Sequence, residues 1–300
     1  MDAEGPGVRR STRAGARTLV VASFVSLVAC AEAAPGRDPS VGNGLVAFVP
    51  PDPGDIGISL VDPVGGEVRT LTADVRDVTG LAWSPDGRMI AFVQSGQSGI
   101  GIVDADTGRI RVLTRRWFPS ETMFSRPTWS PEADRVAFSA SRVPSGVECE
   151  GLECVLFVQA HIYVMDADGG VPIKLTEDDF LSGAPAWSPD GERIAFVAVS
   201  PWTPGSQEPP GRPQVYVMDE DGGAVKRLTS FRHSPRDLAW SPDGASLAFG
   251  ASSDIFVLAA DGGSPRRIVA SLVAADGSFE NAEPAWSPDG RRLLFTRSAE

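Results

Sequence analysis

Several kinds of chemistry are scarce in this sequence of 300 residues. Histidine occurs twice, at His161 and His233. Lysine also occurs twice, at Lys174 and Lys226, and cysteine three times, at Cys30, Cys149 and Cys154. No Gly-x-Ser-x-Gly occurs, so the nucleophile elbow of an α/β-hydrolase is not expected. The two histidines stand far apart and lack a nearby nucleophile motif; each reads as a strand-end or loop residue. Excess positive charge is missing as well, the net charge being −12. An acidic surface repels phosphates, which argues against a nucleic-acid partner and against broad adsorption onto anionic lipid. No apolar run approaches the roughly 20 residues that a membrane-spanning helix needs. What is abundant is turn formers, with 32 glycines and 25 prolines and no collagen-like period. That composition points to a turn-rich β fold, and the length allows one large domain or two ordinary ones.

The first 29 residues read as an export signal. Arg9, Arg10, Arg13 and Arg17 precede the apolar run from Thr18 to Ala29. A run of about a dozen residues suits a signal-peptide core. It ends in Leu27-Val28-Ala29-Cys30, which resembles a bacterial lipobox. The resemblance implies cleavage before Cys30 and a diacylglycerol on its sulfur. Ordinary cleavage after Ala31-Glu32-Ala33 is the alternative. Arg9-Arg10 is followed by Ser11-Thr12-Arg13, not by the apolar residues of a twin-arginine signal. Losing residues 1–29, with four arginines against Asp2 and Glu4, would take the charge from −12 to −14. Residues 30–43 read as a Pro/Gly/Ala tether with no element of its own.

The remainder, residues 44–300, repeats one unit. Leu81-Ala-Trp-Ser-Pro-Asp-Gly87, Pro127-Thr-Trp-Ser-Pro131, Pro185-Ala-Trp-Ser-Pro-Asp-Gly191, Leu238-Ala-Trp-Ser-Pro-Asp-Gly244 and Pro284-Ala-Trp-Ser-Pro-Asp-Gly290 are each followed by a strand of the type Ile-Ala-Phe. The tryptophans Trp83, Trp129, Trp187, Trp240 and Trp286 are spaced by 46, 58, 53 and 46 residues. Proline presets φ in a tight turn, Asp accepts local backbone bonds, and Gly takes the left-handed position. Ser is expected to cap the turn and Trp to pack between neighbouring units. The second unit reads Pro131-Glu-Ala-Asp134, so its turn is expected to differ. Third strands ending in Asp-Gly-Gly and fourth strands such as Ile173-Lys-Leu-Thr176 complete each unit.

This pattern resembles the PD40 repeats of TolB-like β-propellers, over nearly all of residues 44–300. The resemblance implies an all-β ring of four-stranded antiparallel blades. Three strands precede the first full unit, sixteen form four units, and two follow, twenty-one in all. Five blades, with the N- and C-terminal strands sharing the closing blade, fit this inventory best; six is the family's alternative. TolB itself is a partner protein of a cell-envelope complex and carries an α/β domain ahead of its propeller. Only 14 residues lie between Cys30 and Leu45, so no such domain is expected here. Prolyl-oligopeptidase-type hydrolases carry a related propeller beside a catalytic domain, which is not expected either.

The fold is silent on function, because propellers host many activities. The Asp-rich turns Asp104-Ala-Asp106, Asp166-Ala-Asp168 and Asp219-Glu-Asp221 lack the closing Glu of a calcium loop and read as hairpins. Ser-Pro-Asp-Gly lacks the residue that separates Asp from Gly in a sialidase Asp box. Cys149 and Cys154 close a short loop and read as a disulfide in an exported protein. Zinc would need two further ligands, and only His161 offers itself. No metal, cofactor or catalytic residue is expected.

Strand order places the Ser-Pro-Asp-Gly and Asp-Gly-Gly turns on one face of the ring. The inter-blade links and the loops between second and third strands lie on the other face, with every long insertion. Arg115, Arg116, Trp117, Phe118, Phe180, Trp202 and His233 fall there and are the candidate binding residues, since Trp and Arg favour interface cores. The expected function is a lipid-anchored, non-catalytic module that binds a protein at the cell envelope. A propeller hydrolase of envelope or extracellular glycans or peptides is the alternative. Acids gathered at the axis from different blades would favour it.

Overall fold

The computed structural model describes residues 45–50, 57–62, 66–73, 75–94, 99–119, 122–142, 159–176, 181–199, 211–270, 273–274 and 277–299. The calls on Cys30, Cys149, Cys154, Phe180 and Trp202, and on residues 1–29 and 30–43, lie outside them. All described regular elements are strands, and all ladders are antiparallel. The first sheet comprises β1 (Val46–Phe48), β2 (Ile58–Val61) and β3 (Val68–Thr72). The second comprises β4 (Val78–Trp83), β5 (Met89–Gln94), β6 (Gly99–Asp104) and β7 (Ile110–Val112). In the third, β8 (Met123–Phe124) and β9 (Thr128–Trp129) are two pieces of one broken first strand. Both pair with β10 (Arg135–Arg142), which is followed by β11 (Gln159–Asp166) and β12 (Ile173–Lys174). The fourth runs β13 (Leu181–Trp187), β14 (Arg193–Val199), β15 (Gln214–Asp219), β16 (Lys226–Arg227). The fifth runs β17 (Arg236–Trp240), β18 (Ser246–Ala251), β19 (Asp254–Ala259), β20 (Arg266–Val269). The last holds β21 (Val273–Ala274), β22 (Gly277–Trp286) and β23 (Leu293–Ala299).

The described strands therefore fall into six sheets where five blades were expected. The two ends of the chain form separate three-stranded sheets, and no described ladder joins β1 to β22 or β23. β22 pairs with β23 over six positions, as expected of a first and second strand, and β23 forms the edge of its described sheet.

Inter-sheet packing follows from the Ile-Ala-Phe strand. Neighbouring side chains on a strand face opposite ways, so Ala and Phe look at different sheets. Phe92 packs backward against Ile58 and Leu60 of the first sheet, whereas Ala91 looks forward at Phe138 of the third. Ala137 faces Phe196 in the same manner, and Ala195 faces Phe249. The four phenylalanines are fully buried. Each alanine is small because the next sheet's ring fills the space a larger side chain would need.

The turn chemistry is as the residues suggest. Ser84 Oγ donates to Asp86 Oδ1 at 2.6 Å and accepts from the amide of Met89, while the same Asp oxygen accepts from the amide of Arg88. Ser188, Ser241 and Ser287 repeat the arrangement with Asp190, Asp243 and Asp289. The second unit's turn, expected to differ, keeps the same backbone. Ala133 bonds to Ser130 O at 3.0 Å as Gly87 bonds to Ser84 O at 2.9 Å. Ala133 occupies the left-handed position at φ 60°, and the Ser130 hydroxyl reaches Asp134 instead. A second repeated device lies at the other end of each unit. Thr72, Thr114, Thr176 and Thr229 each accept, through Oγ1, the amide of the third-strand residue 14 positions earlier: Ile58, Ile100, Ile162 and Val215.

Two predictions follow from the turns. Left-handed Ala133 carries strain that glycine would not, so Ala133→Gly should raise stability by about 0.5–1 kcal/mol. A urea midpoint that fails to rise would show the strain is absent. Asp243 and Asp289 are held below the ordinary 3.8 by their serine hydroxyls and by backbone amides. For Asp190 burial pushes upward, but Ser188, the Glu192 amide and Arg193 outweigh it. A depressed carboxylate stabilises the fold above the unfolded-state value and loses that contribution as pH falls through the folded one. Thermal stability should therefore be level above about pH 5 and drop below about pH 4. The double change Asp243→Asn, Asp289→Asn should shrink that acid limb in a pH series.

Candidate functional site

The predicted binding residues are only partly brought together. Trp117 is 41% exposed, and the Arg116 guanidinium lies 5.6 Å from its ring centre, with Arg115 beside them on the link after β7. Phe118, by contrast, is a packing residue. Its ring meets Phe124, Phe138 and Tyr163 edge-on at 5.1–6.0 Å inside the third sheet. His233 lies on another link. Its Nδ1 is 2.9 Å from Ser252 Oγ, and its ring packs on Phe231 and Phe256. Among the described residues the surface anchor is thus Arg115-Arg116-Trp117, with Phe118 as its root and His233 apart from it.

A second group of residues, absent from the predicted set, gathers at the axis. The first strands of the second to sixth sheets stand side by side: β4 touches β9, β9 touches β13, β13 touches β17 and β17 touches β22. Most carry a bulge three residues before the tryptophan. The bulged residues Gly80, Ala184, Asp237 and Glu283 share a left-handed φ of 50–58°. Three of them are not glycine, and each such position costs on the order of 1–3 kcal/mol. Because Gly80 and Ala184 have no functional side chain, the bulge belongs to the architecture. What varies is the group it presents.

In the third sheet that position is Arg126. Its guanidinium forms an ion pair with Glu283 of the last sheet, 157 residues away. The neighbouring Arg236 lies 3.4 Å from Asp237, whose other contact is the amide of Glu283 at 3.4 Å. Two arginines and two acids thus form a charge-balanced group at the axis, with Arg126 and Glu283 reaching across from the third sheet to the sixth. Aligning the repeats on tryptophan would have flagged this column, since Arg126, Asp237 and Glu283 stand where other units have Gly80 and Ala184.

The opposite face carries a cleft of about 590 Å³ between the second and third sheets, lined by Asp86, Arg88, Arg111, Trp129, Asp134 and Asp168. Its origin is a substitution in the repeat. Arg135 and Arg193 lie 4.9 Å over Trp187 and Trp240, but Met89 stands at the matching position before Trp129. Among the described residues no group of three or more His, Cys, Asp or Glu side chains could hold a metal ion.

Repeated four-stranded sheets, first strands around an axis and Trp-Ser-Pro-Asp-Gly turns define the class, a β-propeller built of sequence repeats. Within that class, residues 159–300 match the TolB beta propeller domain model and residues 65–98 the WD domain, G-beta repeat model. The matched residues carry repeats of the TolB type, and the fold is that of a β-propeller. It is 27% identical over 240 residues to the uncharacterized peptidase YuxL of Bacillus subtilis, covering 76% of this chain but 31% of that protein. It is 30% identical over 139 residues to the TolB homolog of Chlorobium luteolum, covering 45% of this chain and 28% of the relative. The chain thus spans about a third of the length of these relatives. A TolB structure from Agrobacterium tumefaciens superposes with a TM-score of 0.62 at 20% identity, over 91% of this chain and 90% of that one, which supports the fold.

The axial pair makes a prediction. Arg126→Ala and Glu283→Ala should each destabilise, and the double variant should cost less than their sum, with a coupling of about 0.5–1 kcal/mol. Strict additivity in denaturant melts would show that the two side chains do not meet.

Proposed function

We propose that this chain is an exported, lipid-anchored propeller that binds a protein partner at the cell envelope without catalysing a reaction. In this reading residues 1–29 are the signal, Cys30 carries the lipid, residues 30–43 are the tether, and Cys149–Cys154 closes a disulfide. One observation supports the non-catalytic reading above others: the acids at the axis are already engaged. Glu283 is paired with Arg126 and Asp237 with Arg236. A hydrolase of glycans needs one carboxyl to give a proton to the leaving group and another to activate water or attack. Guanidinium donors hold both of these acids in other work.

The binding surface in this reading is the link face, with Trp117 as its exposed anchor. An exposed Trp beside an Arg, on a loop rooted by a buried Phe, combines a rigid base with a large contact area. A second reading, hydrolysis, is favoured by the match to a protein described as a peptidase. Its catalytic acids would have to be released from Arg126 and Arg236.

The test is capture of envelope proteins on the immobilised propeller. Trp117→Ala and Arg116→Ala should each weaken binding of a captured protein about tenfold or more, as interface anchors do, with melting unchanged. Phe118→Ala should instead lower stability by a few kcal/mol, as core truncation does. If Glu283→Gln abolishes an activity toward glycan or peptide while the Trp117 variant binds normally, the hydrolase reading stands instead.

A further inference from the structure

Three of the repeat tryptophans act as staples from sheet to sheet. Trp129 Nε1 donates to Ala82 O at 3.0 Å, Trp240 Nε1 to Ala186 O at 2.9 Å and Trp286 Nε1 to Ala239 O at 3.2 Å. In each case the acceptor is the residue just before the tryptophan of the preceding first strand. Trp187 Nε1 turns instead to Gly191 O of its own hairpin at 2.9 Å, and Trp83 departs further. It is buried at 7% exposure, and its Nε1 has no hydrogen-bond partner among the described residues. The preceding sheet explains why: its innermost described strand, β1, matches the second strand of a unit and pairs only with β2. Phe48, with no described sheet behind it, is partly exposed, as is Phe295 of the last sheet, whereas Phe92, Phe138, Phe196 and Phe249 are fully buried. A buried indole N–H without an acceptor costs about 1–3 kcal/mol, so the missing strand would be rewarded.

The chain ahead of β1 carries the pattern of a degenerate first strand. Gly36-Arg-Asp-Pro-Ser40 stands before Leu45-Val-Ala-Phe48 as Gly80-Leu-Ala-Trp-Ser84 stands before Met89-Ile-Ala-Phe92. Ser40 precedes Ala47 by seven residues, the same spacing as Ser84 to Ala91, Ser188 to Ala195 and Ser241 to Ala248. Gly36 falls at the bulge position, where φ is positive in four other sheets. Asn43 falls where Gly87 takes its left-handed φ, which Asn tolerates better than most residues. Pro39 falls at the tryptophan position. Trp187 shows that the amide there points out of its own ladder, toward Thr128 Oγ1 at 3.4 Å, so a proline loses no strand bond.

We propose that residues 36–40 dock along β1 as the first strand of the first sheet, with the Asp38 carbonyl accepting the Trp83 indole N–H. The occupant is this chain's own segment, and the spacing selects it over a strand from a second copy. The proposal also revises the tether. If Cys30 carries lipid, as the reading above holds, only residues 31–35 lie between anchor and ring, at most about 18 Å when extended. A first strand begins at the link end of its sheet, so the leash would leave from the face that bears Trp117.

The experiment is hydrogen exchange on the full chain in detergent, with indole exchange followed by NMR. Amides of residues 36–40 and the Trp83 indole should exchange about tenfold or more slowly than in a free peptide. Gly36→Val should speed both together, and Trp83→Phe should speed residues 36–40 alone. Free-peptide rates for residues 36–40 in the unaltered chain would overturn the proposal, and so would protection that vanishes on dilution, since the strand would then come from another copy. None of these readouts depends on Cys30. The mass of the N-terminal peptide reports lipid separately, so a missing lipid would overturn the anchor and leave the docking standing.

Discussion

The contact on which this ring depends is a phenylalanine of one sheet set against an alanine of the sheet before it. Phe138 on Ala91, Phe196 on Ala137 and Phe249 on Ala195 are the same event three times. A β-sheet has two faces, and a propeller must bury both, one against each neighbour. The solution is to make one face large and the other small, so that the sheets nest. Fully burying a Phe removes on the order of 2–3 kcal/mol of exposed apolar surface, and a larger residue opposite would push the sheets apart. At three of the junctions an indole staple also ties the sheets, since Nε1 of Trp129, Trp240 and Trp286 must each reach a particular carbonyl of the sheet before it.

Between those contacts the unit is closed by short-range hydrogen bonds that need no neighbour. The Ser–Asp pair locks the first turn, and the Thr hydroxyl ties the end of the fourth strand to the start of the third. Such closure explains how the second unit tolerates Glu132-Ala133 in place of Asp-Gly. The serine hydroxyl finds its acid at Asp134, and the backbone keeps its path.

Function on such a scaffold resides in what the repeat leaves variable. The bulge column is one such place, since its left-handed backbone is kept at Gly80, Ala184, Asp237 and Glu283 while the side chain changes, and the third sheet puts Arg126 at the same place in the repeat. The link after the fourth strand is another. There Phe118 is drawn into the third sheet's aromatic cluster while Trp117 stays out, one residue apart. Sequence reading treated both as surface anchors, because adjacency in sequence gives no sign of which ring turns inward.

The repeat was legible in the sequence because Trp-Ser-Pro-Asp-Gly and Ile-Ala-Phe act locally: proline, glycine and a two-residue period dictate a hairpin whatever surrounds it. The roles of Ser, Asp and Trp could be read for the same reason. The number of sheets could not, since it depends on whether strands from opposite ends of the chain join one sheet, which no local residue dictates. Nor could the meeting of Arg126 with Glu283, which stand 157 residues apart and touch only because successive first strands curl around one axis. Local residues chose the unit; the curl of sheet upon sheet, a sum of many small packing angles, decided which charges would face each other.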